Sequence, residues 1–214
     1  MARPKSDATD IAFNTIKERI NKYDLVPGDA VSDLNLSTEL NMSRTPIREA
    51  ILMLVQCNLI ERQKHKYVVK YITSNDIKDL LDIRIAIECL AAKLIIGNGG
   101  LTVEQKKELK ELENKYTQSI ESKNYNENFN YDSQFHRAIV KFSGNERLSG
   151  IMINISIQSE RLRWMSILTP SRLDSVVNEH PQIRKFLEEG NEKQVTETIT
   201  NHLNLARENY NKIT

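Results

Sequence analysis

Residues 42–54 read MSRTPIREAILML and predict a short amphipathic helix. Ser43 can cap this helix. Pro46 falls in its first turn, where a backbone N–H would have no partner within the helix, so proline costs no hydrogen bond there. One face is apolar at helical spacing, at Ile47, Ala50, Ile51 and Leu54. The other face offers hydroxyl and guanidinium groups that suit phosphate oxygens and the acceptor edge of guanine. This polar face consists of Ser43, Arg44, Thr45 and Arg48. Alone, the pattern also fits an ordinary capped surface helix.

The flanking segments favour a winged helix-turn-helix. Upstream, Ser32 can cap a short helix that ends near Leu40, and Asn41 can take the left-handed conformation of a tight turn. Downstream, alternating runs at 59–62 and 67–70 predict a two-stranded wing with a basic tip at Lys64, His65 and Lys66. Residues 43–70 carry six Arg or Lys against two Glu, a net charge of +4. This local charge suits duplex DNA.

Composition sets the limits of the remaining chain. Its 214 residues are 39% apolar and 28% charged, values that suit a globular protein of one large or two modest domains. We expect no secretory segment and no membrane span, because no apolar run approaches the required length. Cys57 and Cys89 have no partner spacing, which predicts reduced core thiols in a cytoplasmic protein. The first helix is predicted at about 7–22, with Ile11, Ile16 and Ile20 inward.

From residue 73 onward the pattern is helical. Thr73 and Thr102 open capping boxes, and helices are predicted at about 73–96, 102–122, 126–142, 145–168, 172–177, 181–189 and up to 211, with a break at 169–171. The fold prediction is therefore mainly α. It combines a winged helix-turn-helix with a small two-stranded wing in residues 1–72 and an all-α antiparallel helical bundle in residues 73–214.

Four side chains of the predicted bundle can converge. Asp132 and His136 are four residues apart on one helix and so project from the same face. His180 and His202 lie about ten to twelve residues on either side of the turn at 190–191, and are level in an antiparallel hairpin. Three imidazoles and a carboxylate suit a divalent ion such as zinc, nickel or manganese. Each position alone is equally explained by a hydrogen-bonded core histidine or a surface ion pair.

Two groups of residues carry a resemblance to a known family. Residues 36–51, LSTELNMSRTPIREAI, resemble the winged helix-turn-helix of the GntR family of bacterial transcription regulators. Residues 132–139 (DSQFHRAI), 142–145 (FSGN), 179–183 (EHPQI) and 202–203 (HL) resemble the FCD effector domain of the FadR branch of that family. The chain departs from the family at Leu34, where many relatives have arginine, and at 64–66, where a wing glycine is missing.

The resemblance implies roles for particular residues. It implies that the polar face of the 42–54 helix contacts DNA, that His65 reaches the minor groove, and that Arg84 faces the effector cavity. It also implies that the converging set binds the metal, at Asp132, His136, His180 and His202. Glu88 shares a helix face with Arg84, and Arg161 or Arg163 can enter the cavity, so Arg84, Glu88 and Arg161 are the predicted effector contacts.

These expectations combine into one mechanism. We expect a homodimeric repressor, not an enzyme, that binds a pseudo-palindromic operator in double-stranded DNA and responds to a small carboxylate effector at the divalent metal ion. Zn²⁺ is the first choice of metal, with Ni²⁺ or Mn²⁺ as alternatives. Three other possibilities stay open: a metal-sensing repressor, a metal-dependent hydrolytic enzyme, and a metal that only stabilises the bundle.

Overall fold

A computed structural model describes residues 7–165 and 170–212, which form two compact units, Met1–Ile72 and Thr73–Thr214. The first unit contains three helices and three strands. In chain order these are α1 (Asp7–Asn21), β1 (Ala30–Val31), α2 (Asp33–Glu39), α3 (Arg44–Gln56), β2 (Ile60–Gln63) and β3 (Lys66–Val69). This is the winged helix-turn-helix that the sequence predicts.

The helix-turn-helix forms from local signals. The Ser32 side chain accepts a hydrogen bond from the backbone N–H of Asn35 and caps α2, and Asn41 adopts a positive φ of 49° in the turn. The predicted apolar face of α3 is buried at Ile47, Ala50, Ile51 and Leu54. Ser43 occupies the capping position of α3, but its side chain makes no capping hydrogen bond. The prediction is therefore right about the position of Ser43 but wrong about its hydroxyl, which caps no backbone N–H. Ser43 is exposed at the helix end.

The wing has one strand more than predicted. The sheet is antiparallel in the order β1-β3-β2, with Val31 opposite Tyr67 and Gln63 opposite Lys66. A strand of two residues is too short to show the alternation from which strands are predicted, so β1 depends on its partner β3. Lys64 has a positive φ of 54° in the turn between β2 and β3, the conformation that glycine adopts most easily.

The burial of α1 corrects one further prediction. Ile16 and Ile20 are buried as expected, but Ile11 is 58% exposed, and Ala12 and Phe13 are buried instead. The buried face of α1 is the one that packs against α3, and the sequence of α1 alone does not show which face that is.

The second unit is a bundle of six helices within the described residues. They are α4 (Ser74–Gly97), α5 (Val103–Glu121), α6 (Tyr125–Phe142), α7 (Glu146–Met165), α8 (Pro170–Glu188) and α9 (Glu192–Asn211). Both predicted capping boxes form, with reciprocal side-chain to backbone hydrogen bonds between Thr73 and Asp76 and between Thr102 and Gln105. The helix α4 packs against α6, α7 and α9, and α8 packs against α5 and α9.

Pro181 does not begin a new helix, contrary to the prediction. It lies inside α8, which runs unbroken from Pro170 to Glu188. One face of α8 is buried along its length, at Leu173, Val176, His180, Ile183 and Leu187. Packing of this continuous stripe outweighs the loss of one backbone hydrogen bond at the proline. The predicted end of the preceding helix at Leu168 and the first residue of the predicted break, Thr169, lie outside the described residues. The rest of that break is wrong, because Pro170 and Ser171 already belong to α8.

The two cysteines and the membrane prediction can also be compared with the structure. Cys57 is buried and Cys89 is half-buried, and both are free thiols. Among the described helices, none combines the length and the apolar composition that crossing a membrane requires.

Candidate metal centre and DNA-binding surface

The bundle brings the four predicted metal ligands together. Asp132 and His136 come from α6, His180 from α8 and His202 from α9. One ligand atom from each lies within 4.8 Å of all the others. The three imidazoles are buried, and the Asp132 side chain is 13% exposed. Water therefore has little access to this cluster of donor atoms.

The distances between donor atoms suit one small ion. His136 Nε2 lies 3.1 Å from His202 Nε2. Asp132 Oδ1 lies 3.4 Å from His180 Nε2 and 3.8 Å from His136 Nε2. Ligands bound about 2.0–2.1 Å from a single zinc ion are themselves about 3 Å apart. The spacing of the cluster is close to that of a coordination shell.

Two carboxylates behind the cluster select the tautomers of two imidazoles. Glu88 Oε2 accepts from His136 Nδ1 at 2.6 Å, and Glu179 Oε2 accepts from His202 Nδ1, also at 2.6 Å. In a neutral ring, a proton on Nδ1 leaves Nε2 without one. The lone pairs of His136 and His202 therefore face each other at 3.1 Å, an arrangement that a cation would stabilise.

Neighbouring side chains also orient the other two ligands, Asp132 and His180. Arg163 Nε donates to Asp132 Oδ2, which leaves Oδ1 directed at the imidazoles. The His180 ring stacks on Phe135 at a centroid distance of 4.2 Å. Within the part of the chain that the structure describes, neither ring nitrogen of His180 makes a hydrogen bond. A buried ring nitrogen without a hydrogen bond is costly, and Nε2, which lies 3.4 Å from Asp132 Oδ1, is the nitrogen that a metal bound in this cluster would satisfy.

Electrostatics puts the ligands in the protonation states that metal binding needs. Burial lowers the pKa of His136 to about 3, although Glu88 opposes this shift. Burial favours the neutral form of Asp132, but the charge of Arg163, together with the nearby His180 and His136, outweighs burial and holds the pKa of that carboxyl well below its usual range. His136 is thus neutral and Asp132 ionised near pH 7, as ligands must be.

Of the three predicted effector contacts, only Arg84 lines a cavity beside the cluster. A cavity of about 30 Å³ lies beside the cluster, and its wall includes Arg84, Asp132, Arg163 and His202. Arg84 Nη2 and both terminal nitrogens of Arg163 are buried there without a hydrogen-bond partner among the described residues. These N–H groups can receive an anion.

Glu88 and Arg161 do not line this cavity. Glu88 lies behind the metal cluster, where it bonds Arg84 Nε at 2.7 Å as well as His136, and Arg161 is buried elsewhere on α7. Glu179 was not among the predicted site residues, and Arg163 was predicted only as an alternative to Arg161. The sequence does not identify these roles, because each depends on how two helices pack and which side chains then face each other.

The winged unit displays all of its predicted DNA contacts at the surface. The exposed residues are Ser43, Arg44, Thr45 and Arg48 at the start of α3, and Lys64, His65 and Lys66 at the end of the β2–β3 hairpin. Leu34, the residue that departs from the family pattern, is exposed on α2.

Comparison with known families now identifies the chain. Residues 79–205 match the FCD domain, and residues 9–68 match the gntR family of bacterial regulatory proteins. The chain belongs to the GntR family. This GntR-family chain is 27% identical over 202 residues to the HTH-type transcriptional repressor RspR of Escherichia coli K12, covering 91% of this chain and 87% of RspR. It is 24% identical over 196 residues to the uncharacterized HTH-type transcriptional regulator YdhC of Bacillus subtilis strain 168, covering 90% and 86%.

Solved structures share the fold of this GntR-family chain. E. coli McbR/YncC superposes with a TM-score of 0.82 at 21% identity, covering 97% of this chain and 98% of that one. A putative GntR regulator from Rhodococcus sp. RHA1 gives a TM-score of 0.80 at 16% identity, covering 98% and 100%. The chain is a transcription regulator of the GntR type with an FCD domain.

Proposed function

We propose that this regulator is a repressor controlled by a small organic acid that binds at a divalent metal ion in the FCD domain. The metal is held by Asp132, His136, His180 and His202. The observation that carries the proposal is the distance of 3.1 Å between His136 Nε2 and His202 Nε2, with a carboxylate bonded to the Nδ1 of each ring. Imidazole and carboxylate ligands favour Zn²⁺, with Ni²⁺ or Mn²⁺ as alternatives.

The bound metal would supply a Lewis acid that could accept an oxygen of the effector in addition to its four protein ligands. The protein supplies the rest of the anion site. Arg84 and Arg163 direct buried N–H groups into the same cavity, and a guanidinium next to a carboxylate forms short, strong hydrogen bonds in a dry site. A carboxylate effector therefore suits this cavity better than a neutral ligand does.

The size of the cavity links effector binding to a change in the bundle. About 30 Å³ accommodates an ion or a single water, not an organic acid. The effector must therefore bind an opened form of the bundle. A ligand shifts such an equilibrium only by its different affinity for the two forms, so a ligand that needs the open form selects it strongly.

The DNA side of the proposal uses the exposed end of α3 and the hairpin. Ser43, Arg44, Thr45 and Arg48 would contact the major groove, and Lys64, His65 and Lys66 would contact the backbone or minor groove. We propose a homodimer on a pseudo-palindromic operator in the cytoplasm. Ile83 and Leu90 support the dimer, because they lie two turns apart on α4 and are both exposed.

One observation favours a second candidate, a repressor that senses the metal itself. The closed cavity already has room for an ion or a single water, so a metal does not need the larger opening that an organic acid needs. In that case the ion is the signal, and its release would change DNA binding without any organic acid.

A thermal unfolding screen separates the two candidates. Small mono-, di- and tricarboxylates are tested against the purified protein before and after treatment with a chelator. A ligand at 100 times its Kd adds about 2.7 kcal/mol, which raises Tm by roughly 5–10 °C in a chain of this size. A shift that chelation abolishes supports the effector site, whereas a chelation effect with no response to any acid supports the metal sensor.

The DNA assignment has its own test. Arg48→Ala should weaken binding to a DNA duplex selected with the wild-type protein by about 1–3 kcal/mol if its side chain bonds a base edge. Arg147→Ala is the control, because Arg147 lies at the start of α7 in the other unit. Equal affinity of Arg48→Ala and wild type in a gel-shift titration would remove Arg48 from the interface.

A further inference from the structure

One carboxylate holds both of the arginines that are proposed to read DNA. Asp33 accepts from Arg44 Nη2 at 2.8 Å and from Arg44 Nε at 3.3 Å. The same carboxylate accepts from Arg48 Nε at 2.5 Å. The three side chains come from two helices, α2 and α3, so these bonds cross the helix-turn-helix.

The carboxylate is well suited to remain ionised. Asp33 is the first residue of α2, where the partial positive charge of the helix end favours an anion. Hydrogen bonds from Arg44 lower the pKa of Asp33, and Arg48 adds to this effect. The Asp33 side chain is 21% exposed, whereas those of Arg44 and Arg48 are 50% and 64% exposed. The acid is the more enclosed member, and the two guanidinium groups extend past it.

Asp33 also lies on the side of the unit that would face DNA. It lines a groove of about 530 Å³ together with Arg48, His65 and Lys66, three of the proposed DNA contacts. A negative charge at this position reduces the attraction for phosphate, which alone would weaken binding to any sequence. An acid in this place therefore needs a role other than affinity.

Orientation of the arginines is such a role. Arg48 bonds Asp33 through Nε, and Arg44 does so through Nε and one N–H of Nη2. Nη1 of each arginine, and Nη2 of Arg48, are not among the atoms that bond Asp33, so each guanidinium keeps N–H groups for an acceptor on DNA. A planar guanidinium fixed along one side presents its other side in a definite direction, as bidentate bonding to guanine requires.

We infer that Asp33 is a positioning residue that sets DNA sequence specificity by orienting Arg44 and Arg48. The inference rests on the proposed function, in which these arginines contact base edges. In this inference, Asp33 lowers the affinity of the regulator for DNA phosphates in general and increases its discrimination between base sequences.

The test is the variant Asp33→Asn, with Glu39→Gln as its matched control. Glu39 lies on the same helix and pairs with Arg19 at 2.7 Å, so the control removes one negative charge from α2 without touching Arg44 or Arg48. Two duplexes serve as probes: one selected from a random library with the wild-type protein, and one with the same bases in shuffled order. Kd is measured for both over a range of salt concentrations, because phosphate contacts make affinity depend on salt.

We expect Asp33→Asn to lower the ratio of affinities for selected and shuffled duplex about tenfold, while Glu39→Gln leaves it unchanged. Affinity for the shuffled duplex should stay equal or increase. A ratio within twofold of wild type would overturn the inference, and so would an equal gain of affinity for both duplexes, which would show only reduced repulsion. Arg44→Ala and Arg48→Ala test the proposed function separately: if both bind the selected duplex like wild type, the DNA surface itself is misassigned.

Misfolding can be distinguished from loss of orientation. The pairs of Asp33 with the arginines are largely exposed, and exposed pairs contribute little to folding. Asp33→Asn should therefore unfold within a few degrees of wild type. Asp33→Glu adds a second check, because the longer acid keeps the charge but displaces both guanidinium groups. It should reduce the affinity ratio as Asp33→Asn does, and a wild-type ratio in Asp33→Glu would mean that charge alone matters.

Discussion

Replacing Glu179 with glutamine tests whether the cluster is prepared for a metal. Glu179→Gln keeps the size of the side chain but removes the charge that accepts the His202 Nδ1 proton at 2.6 Å. A hydrogen bond to a charged group contributes about 1.5–3 kcal/mol and a neutral one about 0.5–1.5. The midpoints of these two ranges differ by about 1.3 kcal/mol, which corresponds to a loss of roughly ninefold in metal affinity. The full range for such outer partners is about 10–100-fold.

The assay is competition for Zn²⁺ between the apo protein and a chromophoric chelator of known affinity. Glu189→Gln is the control, since Glu189 directly follows α8 and its carboxylate lies 3.8 Å from Lys185 Nζ at the surface. The control should bind Zn²⁺ like wild type. If Glu179→Gln also binds Zn²⁺ within twofold of wild type, then the carboxylate does not prepare His202, and the argument from facing lone pairs fails.

Two further predictions concern stability. Lys64 has a φ of 54°, which costs a residue other than glycine about 1 kcal/mol, so Lys64→Gly should stabilise the winged unit by about 0.5–1 kcal/mol in urea unfolding followed by circular dichroism. Lys66→Gly, in strand β3, should destabilise it, and the same sign for both variants would refute the argument. The second prediction concerns pH in the chelator-treated protein. The folded pKa of His136 is about 3 and the unfolded value about 6.5. Between these values the unfolded chain binds more protons, so the free energy of unfolding should fall by up to about 1.4 kcal/mol per pH unit as the pH drops from 6.5 toward 5. Equal urea midpoints at pH 7 and pH 5 would contradict it.

The loss of the predicted helix break at Pro181 shows how packing overrides a local signal. Proline is a strong breaker because it lacks an N–H and its ring crowds the preceding turn. In α8, however, the apolar stripe continues across the proline with unchanged spacing, from Val176 to Ile183. The same stripe carries His180 into the cluster. A helix that began at Pro181 would leave His180 just before its first turn, still level with His202. The sequence therefore could not distinguish a broken helix from a continuous one.

The partners of the metal ligands mark a second limit. The sequence placed His180 and His202 level with each other because both were counted from one turn of known position. It could not connect Glu88 with His136, which lie 48 residues apart on helices whose packing the sequence does not give. Glu179 directly precedes His180 and so lies near the same level, but only the packing of α8 against α9 shows that its carboxylate bonds His202. Glu88 was accordingly predicted to contact the effector, whereas its carboxylate faces His136 and Arg84.

The sequence alone determined the parts of this protein that depend on neighbours within a few residues. These parts are the capped helices, the amphipathic face of α3, the basic tip of the wing, and the presence of three imidazoles and a carboxylate on helices that can meet. Only the tertiary structure decided which groups stand behind those ligands, that a third strand joins the wing, and that Asp33 holds both Arg44 and Arg48. The physical reason is that capping and periodicity act through local backbone geometry, whereas contacts between distant residues form only when the helices pack and exclude water.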